Sequence, residues 1–272
     1  MKPKLKLSDA ELAQIARKVR CLVLESIHKV GTGHAGTSLS MIELLVYLYF
    51  REMNYRADEP HWRLRDRFIL SKGHGAPGLY STMAVAGFLS EEELSTLRRF
   101  GSRLQGHPSH AHLPGIDAST GSLGQGLSIG CGMAHAALLK NSPSRVFCIL
   151  GDGEIQEGQN WEAMMVASSF GLTNLTAIVD RNGLQNDGPT ENIIPIDDLA
   201  RRAESFGWQA YTIDGHDYGQ IENALNETAL KPKFIVAETI KGKGVSYMEN
   251  QVKWHHHPIS DDELSLAMSE LV

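Results

Sequence analysis

The sequence predicts a doubly wound α/β domain, a parallel sheet with helices on both faces. Two observations predict it. Short, nearly continuous apolar runs alternate with segments of helical periodicity, the pattern of strands buried on both sides. After each run stands a cluster of glycine and polar residues, as expected where loops gather beyond the carboxyl ends of parallel strands. Length and composition agree. With 272 residues, 42% hydrophobic and 21% charged, the chain can bury a large core, and no repeat or linker divides it. Residues 1–272 therefore read as a single domain, with an N-terminal helical segment over 8–53 and a C-terminal tail over 254–272.

The elements follow in order. Ser8-Asp9-Ala10-Glu11 is a capping box, in which each end satisfies an orphan backbone donor. Leu12, Ile15, Ala16, Val19, Leu22, Val23 and Ile27 follow at helical spacing, and Gly31 or Gly33 should stop the helix. A second helix is expected from Ser38 or Ser40 to about Met53. Residues 66–70 read as a short buried strand ending at Ser71-Lys72-Gly73-His74. Ser90-Glu91-Glu92-Glu93 is a second capping box opening a short helix. Residues 101–121, rich in Gly, His, Pro and Ser, read as an ordered loop or lid. From Gly121 the alternation is strict. Helices are expected over residues 123–140, through Trp161 and Met165, near 198–206, over 219–230 and over 261–271. The strands between them are expected at 145–150, 175–179, 209–213 and 234–239.

Composition excludes several classes. A net charge of −6 argues against nucleic acid, whose binders usually carry a clustered basic surplus. Cys21, Cys131 and Cys148 have no CxxC spacing, which suggests a reducing, cytoplasmic setting rather than a disulfide framework or a zinc knuckle. The basic start over residues 1–7 has no apolar stretch behind it, so no secretory signal is read. The greasiest stretch, residues 41–50, contains Glu43 and is too short to span a bilayer. The excess lies in 26 glycines and 12 histidines. Glycine lets backbone approach a ligand, and histidine works near neutral pH.

The residues just after the apolar runs are His74, Asp152, Asp180 with Asn182, Asp214 with His216, and Lys241 with Lys243. An acid between two glycines, as in Gly151-Asp152-Gly153-Glu154, leaves backbone bare enough for a phosphate to approach. Its own charge is wrong for a phosphate unless a cation stands between them, and Mg²⁺ (or Ca²⁺) takes carboxylate, amide, carbonyl and phosphate oxygens. A second oxygen is available at the next strand end, where Asn182 stands. Alone, Asp152 reads as a helix cap and Asn182 as a turn residue before Gly183. Together, at successive strand ends, they favour a metal–diphosphate site.

GDG followed about thirty residues on by Asn looks like the thiamine diphosphate motif, and the whole chain resembles the diphosphate-binding domain of transketolase. The motifs that carry the resemblance are Gly33-His34-Ala35-Gly36, Asp66-Arg67-Phe68 with Ser71-Lys72-Gly73-His74-Gly75, Gly106-His107-Pro108 and Thr120-Gly121-Ser122-Leu123-Gly124-Gln125-Gly126. Beyond these lie Gly151-Asp152-Gly153 with Glu157-Gly158, Asp180-Arg181-Asn182-Gly183, Asp214-Gly215-His216-Asp217 and Lys241-Gly242-Lys243-Gly244. The resemblance runs from about residue 10 to about residue 260. Ala35 and Ser122 stand where many transketolases have proline, which alters loop stiffness but removes no ligand.

The resemblance implies the following. Asp152, Asn182 and the Leu184 carbonyl would hold Mg²⁺, with Ca²⁺ or Mn²⁺ as substitutes. Gly151, Gly153 and Glu154 would surround the diphosphate, and His74 would bond it. Gly121, Ser122 and Leu123 would line the rest of the cofactor's path. Glu157 would belong to a network between cofactor sites. His34 and His107 would face the substrate as catalytic groups, and His255 of Trp254-His255-His256-His257-Pro258 would lie near both diphosphate and substrate. His110 and His112 are expected to be exposed rather than zinc ligands. His216 is expected to hold a turn, and His28, His61 and His135 have no claim on the site. The activity implied is transfer of a two-carbon ketol unit from a ketose phosphate to an aldose phosphate, as in pentose phosphate metabolism. In this family the acid beside the cofactor's pyrimidine comes from a second domain, for which the chain shows no motif. The expectation is therefore the N-terminal subunit of a split, two-gene transketolase, paired with a chain carrying the pyrimidine and C-terminal domains in an α2β2 assembly. Other readings are a 2-oxo acid dehydrogenase α-subunit, a deoxyxylulose phosphate synthase fragment, a transketolase for an unusual or sulfonated sugar, and a non-catalytic subunit. A nicotinamide-binding domain is disfavoured because no GxGxxG follows the first strand.

Overall fold

The computed structural model describes residues 7–228 and 230–271. The basic start lies outside them except for Leu7, as does Ala229 near the expected end of the 219–230 helix. Helix α1 (Asp9–Val30) begins with the capping box: Ser8 Oγ accepts the Glu11 amide, and the Glu11 carboxylate accepts the Ser8 amide. Gly31 ends it in the left-handed region at φ 70°, where glycine meets no Cβ penalty. The stripe from Leu12 to Ile27 is buried.

The second expected helix differs from the structure. Helix α2 (Ala35–Ser40) starts before Ser38, breaks at Met41, continues as α3 (Ile42–Tyr47) and ends in a π turn over Leu48–Glu52. The serines read as caps are engaged elsewhere. Ser38 Oγ donates to the His34 carbonyl at 2.7 Å, and Ser40 Oγ donates to Asp180. Serine inside a helix commonly bonds back one turn in this way.

Strand β1 (Arg67–Leu70) is followed by α4 (Ala76–Val85), a helix the periodicity does not reveal. Nearly every residue of α4 is buried, so it has no polar face to mark a 3.6-residue rhythm. The Ser90 box is not formed. Residues Glu91–Thr96 make a 3₁₀ turn, and Glu93 gives its carboxylate to Arg103 instead. Residues 101–121 are an ordered loop packed down by buried Leu104, Leu113 and Ile116. Asp117 takes a two-pronged contact from Arg65 and the Phe68 amide, tying this loop to β1.

The remainder follows the expected alternation: α5 (Gln125–Leu139), β2 (Val146–Gly151), α6 (Gly158–Ser169) and β3 (Leu175–Arg181). A small hairpin, β4 (Leu184–Gln185) with β5 (Gly188–Pro189), then leads to α7 (Thr190–Ile193). After it come α8 (Leu199–Ser205), β6 (Gln209–Asp214), α9 (Tyr218–Asn226), β7 (Lys233–Glu238) and α10 (Asp261–Leu271). No described helix is long and apolar enough to cross a membrane.

The five long strands form one parallel sheet in the order β1-β2-β3-β7-β6. Successive strand residues enter opposite cores, as the pleat requires. Phe147 and Ile149 pack with α1–α4 and α9, whereas Val146, Cys148 and Leu150 pack with α5, α6 and α8. After β1 the chain turns to the first face, where Ala76 and Leu79 are buried. After β2 it turns to the second, where Ile155 and Ala163 are buried. Adjacent strands whose continuations part in this way leave a crevice at their carboxyl ends.

Gly126 shows how tightly α5 meets the end of β1: a Cβ there would lie 2.3 Å from Ser71 Oγ and 2.8 Å from Ser71 Cα. Overpacking of this kind costs about 1–3 kcal/mol. Gly126→Ala is expected to lower the unfolding free energy by that amount, read as a lower urea midpoint with an unchanged m-value; an unchanged midpoint would show that this junction yields.

Candidate functional site

Beyond the carboxyl ends of β1, β2, β3 and β7 opens a cleft of about 520 Å³. Its floor rests on one buried ion pair. Lys72, just after β1, is fully enclosed, and its ammonium donates to Asp180 at the end of β3 and to Thr37 Oγ1 and O on α2, both at 3.0 Å. Asp180 also accepts Ser40 and Thr239 hydroxyls. Burial alone would raise the Asp180 carboxyl, but the Lys72 ammonium and these hydrogen bonds outweigh it and hold it below the usual range.

Asp152 leaves the end of β2 and is 3% exposed. Its oxygens accept the Gly153 amide at 2.8 Å and the Gly183 amide at 2.7 Å, and Thr190 Oγ1 approaches at 3.3 Å. Burial, then the nearby Asp180 charge, push its carboxyl up to about 6. Asn182 Nδ2 faces the Asp180 carboxylate at 3.4 Å and Ser40 Oγ at 3.5 Å, which fixes the amide; its Oδ1 accepts the Leu184 amide at 3.2 Å. The Leu184 carbonyl accepts the Lys241 ammonium at 2.9 Å. Asp152, Asn182 and Leu184 all line the cleft. A carboxylate, an amide and a carbonyl form the mixed oxygen set that suits a hard divalent cation.

Two further features suit an anionic ligand carrying such a cation. Lys241 is fully buried, and its ammonium donates to the Leu184 carbonyl and contacts His255 Nδ1 at 2.8 Å; neither of these contacts is a carboxylate. Burial, then the Lys72 charge, push the Lys241 ammonium down to about 8, a fall that the nearby Asp152 and Asp180 charges oppose. Gln185 Oε1 is buried with no hydrogen-bond donor and lies 3.0 Å from where a Cβ on Gly153 would stand. Bare backbone at Gly153 and a buried ammonium in one cleft suit a phosphate brought in with a metal.

His74 and His255 line one end of the cleft, and His34, which is not among its lining residues, packs against both. His34, the N-cap of α2, lies 5.2 Å from His74, 5.5 Å from His255 and 4.6 Å from His256 between ring centroids, and His74 stacks on His255 at 5.3 Å. Burial and neighbouring charge push His34 and His255 down to about 3 and lower His74 well below its usual value. All three are therefore neutral near pH 7. Of the three adjacent histidines, His255 lines the cleft, His256 contacts Thr32 Oγ1 at 3.1 Å, and His257 packs on Trp254.

The other expected residues fall at stated places. His74, Leu123, Gly151, Gly153, Glu154 and Glu157 line the cleft with the metal-type oxygens. The Glu154 carboxylate is engaged by Ser71 Oγ and by the Gly124 and Gly151 amides, so it clasps the turns rather than facing the cleft as a free acid. Gly121, at φ 133°, seats His107, whose ring would clash with a Cβ there. His107 and Ser122 are exposed and are not among the cleft's lining residues. His216 holds a turn, bonded to Glu43 and to the Ile240 amide. Among the described residues no three His, Cys, Asp or Glu side chains converge as a metal cluster. The sequence alone assigns no role to Lys72, Thr37, Ser40, Gln185 or Arg98. Lys72 lies inside the Ser71–Gly75 motif, and its burial is the signal that the sequence lacks.

Residues 12–271 match the family model described as transketolase, thiamine diphosphate binding domain. The 6-deoxy-6-sulfo-D-fructose transketolase subunit SqwG of Clostridium sp. (strain MSTE9) is 42% identical over 264 residues, covering 96% of each chain. An apulose-4-phosphate transketolase subunit of Phocaeicola vulgatus is 40% identical over 259 residues, covering 94% of this chain and 92% of that protein. The crystal structure of transketolase from Campylobacter jejuni superposes with a TM-score of 0.93 at 30% identity, covering 97% of this chain and 43% of that one.

Removing one partner of a buried ion pair costs about 3–5 kcal/mol, because the other charge is stranded. Lys72→Met should destabilise the chain by that amount in denaturant titrations. Lys72→Met combined with Asp180→Leu should recover part of the loss, and additive losses would contradict the pairing.

Proposed function

The chain belongs to the transketolase family, and from that premise we propose that it is the cofactor-binding subunit of a split transketolase, holding thiamine diphosphate through Mg²⁺. The observation that carries this reading is the convergence of Asp152, Asn182 and the Leu184 carbonyl beside the bare Gly153 backbone and the buried Lys241. Asp152 and Asn182 would ligate the metal through side-chain oxygens, and Leu184 through its carbonyl. Gly153, with no Cβ, would let the diphosphate approach the backbone, and His74 would donate to it. His34, His107 and His255 would hold oxygens of the sugar. When bound, thiamine diphosphate supplies the electron sink for the transferred two-carbon unit.

We further propose a second subunit that supplies the pyrimidine-side acid, in an α2β2 assembly within the cytoplasm. The names of two relatives, each called a subunit, support a partner chain. Those names also favour a sugar outside ordinary pentose phosphate metabolism. One relative is named for a sulfonated fructose and the other for apulose 4-phosphate, and donor and acceptor profiling of the reconstituted pair would choose between them. The purified chain alone is expected to transfer no ketol groups. Substantial turnover without a partner would overturn the split arrangement.

The metal assignment has a pH signature. The Asp152 carboxyl is raised to about 6, so below that pH a proton occupies the oxygen a metal needs, whereas above it the carboxylate is free. Mg²⁺-dependent cofactor affinity should therefore fall roughly tenfold per pH unit below about pH 6 and level off above it. Asp152→Asn should lower that affinity by about a hundredfold or more, some 3 kcal/mol, in calorimetric titrations of the assembled enzyme, with the fold kept. An unchanged affinity would refute Asp152 as a ligand.

A further inference from the structure

Two cations touch the imidazole cluster from outside the metal-type oxygens. The Lys241 ammonium lies 2.8 Å from His255 Nδ1, and it also donates to the Leu184 carbonyl. The Arg98 Nη2 lies 3.5 Å from His34 Nδ1, while Nη1 donates to Thr32 Oγ1 at 3.0 Å. Arg98 is set in place by its backbone. It has φ 59°, its amide bonds the Leu104 carbonyl at 2.8 Å, and its guanidinium packs on Gly106, where a Cβ would stand 3.1 Å from Nε. A non-glycine residue in this conformation is uncommon and persists only where its surroundings enforce it.

Ammonium and guanidinium groups carry donors and no acceptor, whereas a neutral imidazole has one nitrogen of each kind. A ring nitrogen facing either cation must therefore be the acceptor, and the other nitrogen must hold the proton. We propose that Lys241 and Arg98 are positioning residues that fix His255 and His34 as Nε2–H tautomers, so that each imidazole keeps one donor nitrogen for a ligand. The ligand atom such a pair takes is an oxygen with lone pairs and no proton to give: a carbonyl, an alkoxide or a phosphate oxygen. A hydroxyl can serve only by accepting. The sugar carbonyl as the natural occupant rests on the transketolase reading; the tautomers do not.

The fold contains the opposite case. His216 Nε2 accepts the Ile240 amide at 2.9 Å, so its proton sits on Nδ1, directed to Glu43 at 2.9 Å. A backbone donor on one ring nitrogen thus gives the reverse tautomer in the same molecule, which provides an internal standard.

The test is a long-range proton–nitrogen NMR spectrum of the purified full-length chain labelled at histidine, at neutral pH. His34 and His255 should each show a pyrrole-type Nε2 and a pyridine-type Nδ1, and His216 the reverse pattern. Lys241→Met should turn His255 into a tautomer mixture without changing His34, and Arg98→Met should do the converse, with Arg98→Lys restoring the His34 pattern. Nδ1–H forms of His34 or His255 in the wild-type spectrum would overturn the proposal, even if the variants fail to fold. So would either methionine variant leaving its histidine unchanged. Titrating the labelled chain assembled with its partner subunit with Mg²⁺ and thiamine diphosphate separates the two readings: failure to bind counts against the proposed function and leaves the tautomer assignment standing.

Discussion

The buried pair between Lys72 and Asp180 is the contact on which the rest of the site depends. It joins the ends of β1 and β3, and through Thr37, Ser40 and Thr239 it draws in α2 and the segment after β7. Four separate parts of the chain therefore meet at one charge pair, and the cleft is the space left above it. The Asp180 charge has two local effects. It fixes the Asn182 amide, so that Oδ1 is the oxygen left for a ligand. Together with burial it raises Asp152, which makes that carboxylate a strong seeker of a cation.

Electrostatics then divides the site into two regions. Around Asp152 the oxygens of three residues gather with one proton-hungry acid, a place for a metal and the anion it carries. Around His34, His74 and His255 the imidazoles are neutral because burial and the neighbouring Lys72, Lys241 and Arg98 charges all oppose protonation. Neutral rings do not repel one another, which is how they share so small a volume. Lys241 stands between the regions, with one contact to the Leu184 carbonyl and one to His255.

Much of this was legible in the sequence. The alternation of apolar runs and helices marked every strand of the main sheet; β2, β3 and β7 are buried almost throughout, whereas the edge strand β6 is half-exposed. Asp152, Asn182, His74 and His255 were found by their place after those runs and by the motifs around them. What escaped has physical reasons. Helix α4 is buried on all sides and carries no periodic signal. Ser38 and Ser40 look like caps, but one bonds back along its own helix and the other reaches Asp180, 140 residues distant in sequence. Lys72 and Lys241 lie in motifs the sequence picks out, but only the fold reveals that both are enclosed. The exposed setting of His107, outside the cleft lining, is likewise a matter of loop path, which spacing does not encode.

The central claim is that a divalent cation joins Asp152, Asn182 and the Leu184 carbonyl to a diphosphate. Anomalous diffraction from crystals of the chain with its partner subunit, grown with Mn²⁺ and thiamine diphosphate, tests it most directly. The account predicts one manganese peak within ligand distance of those three oxygens and of two diphosphate oxygens, with Gly153 against the diphosphate. A diphosphate seated without metal on the imidazoles, or a manganese peak away from Asp152, would contradict it.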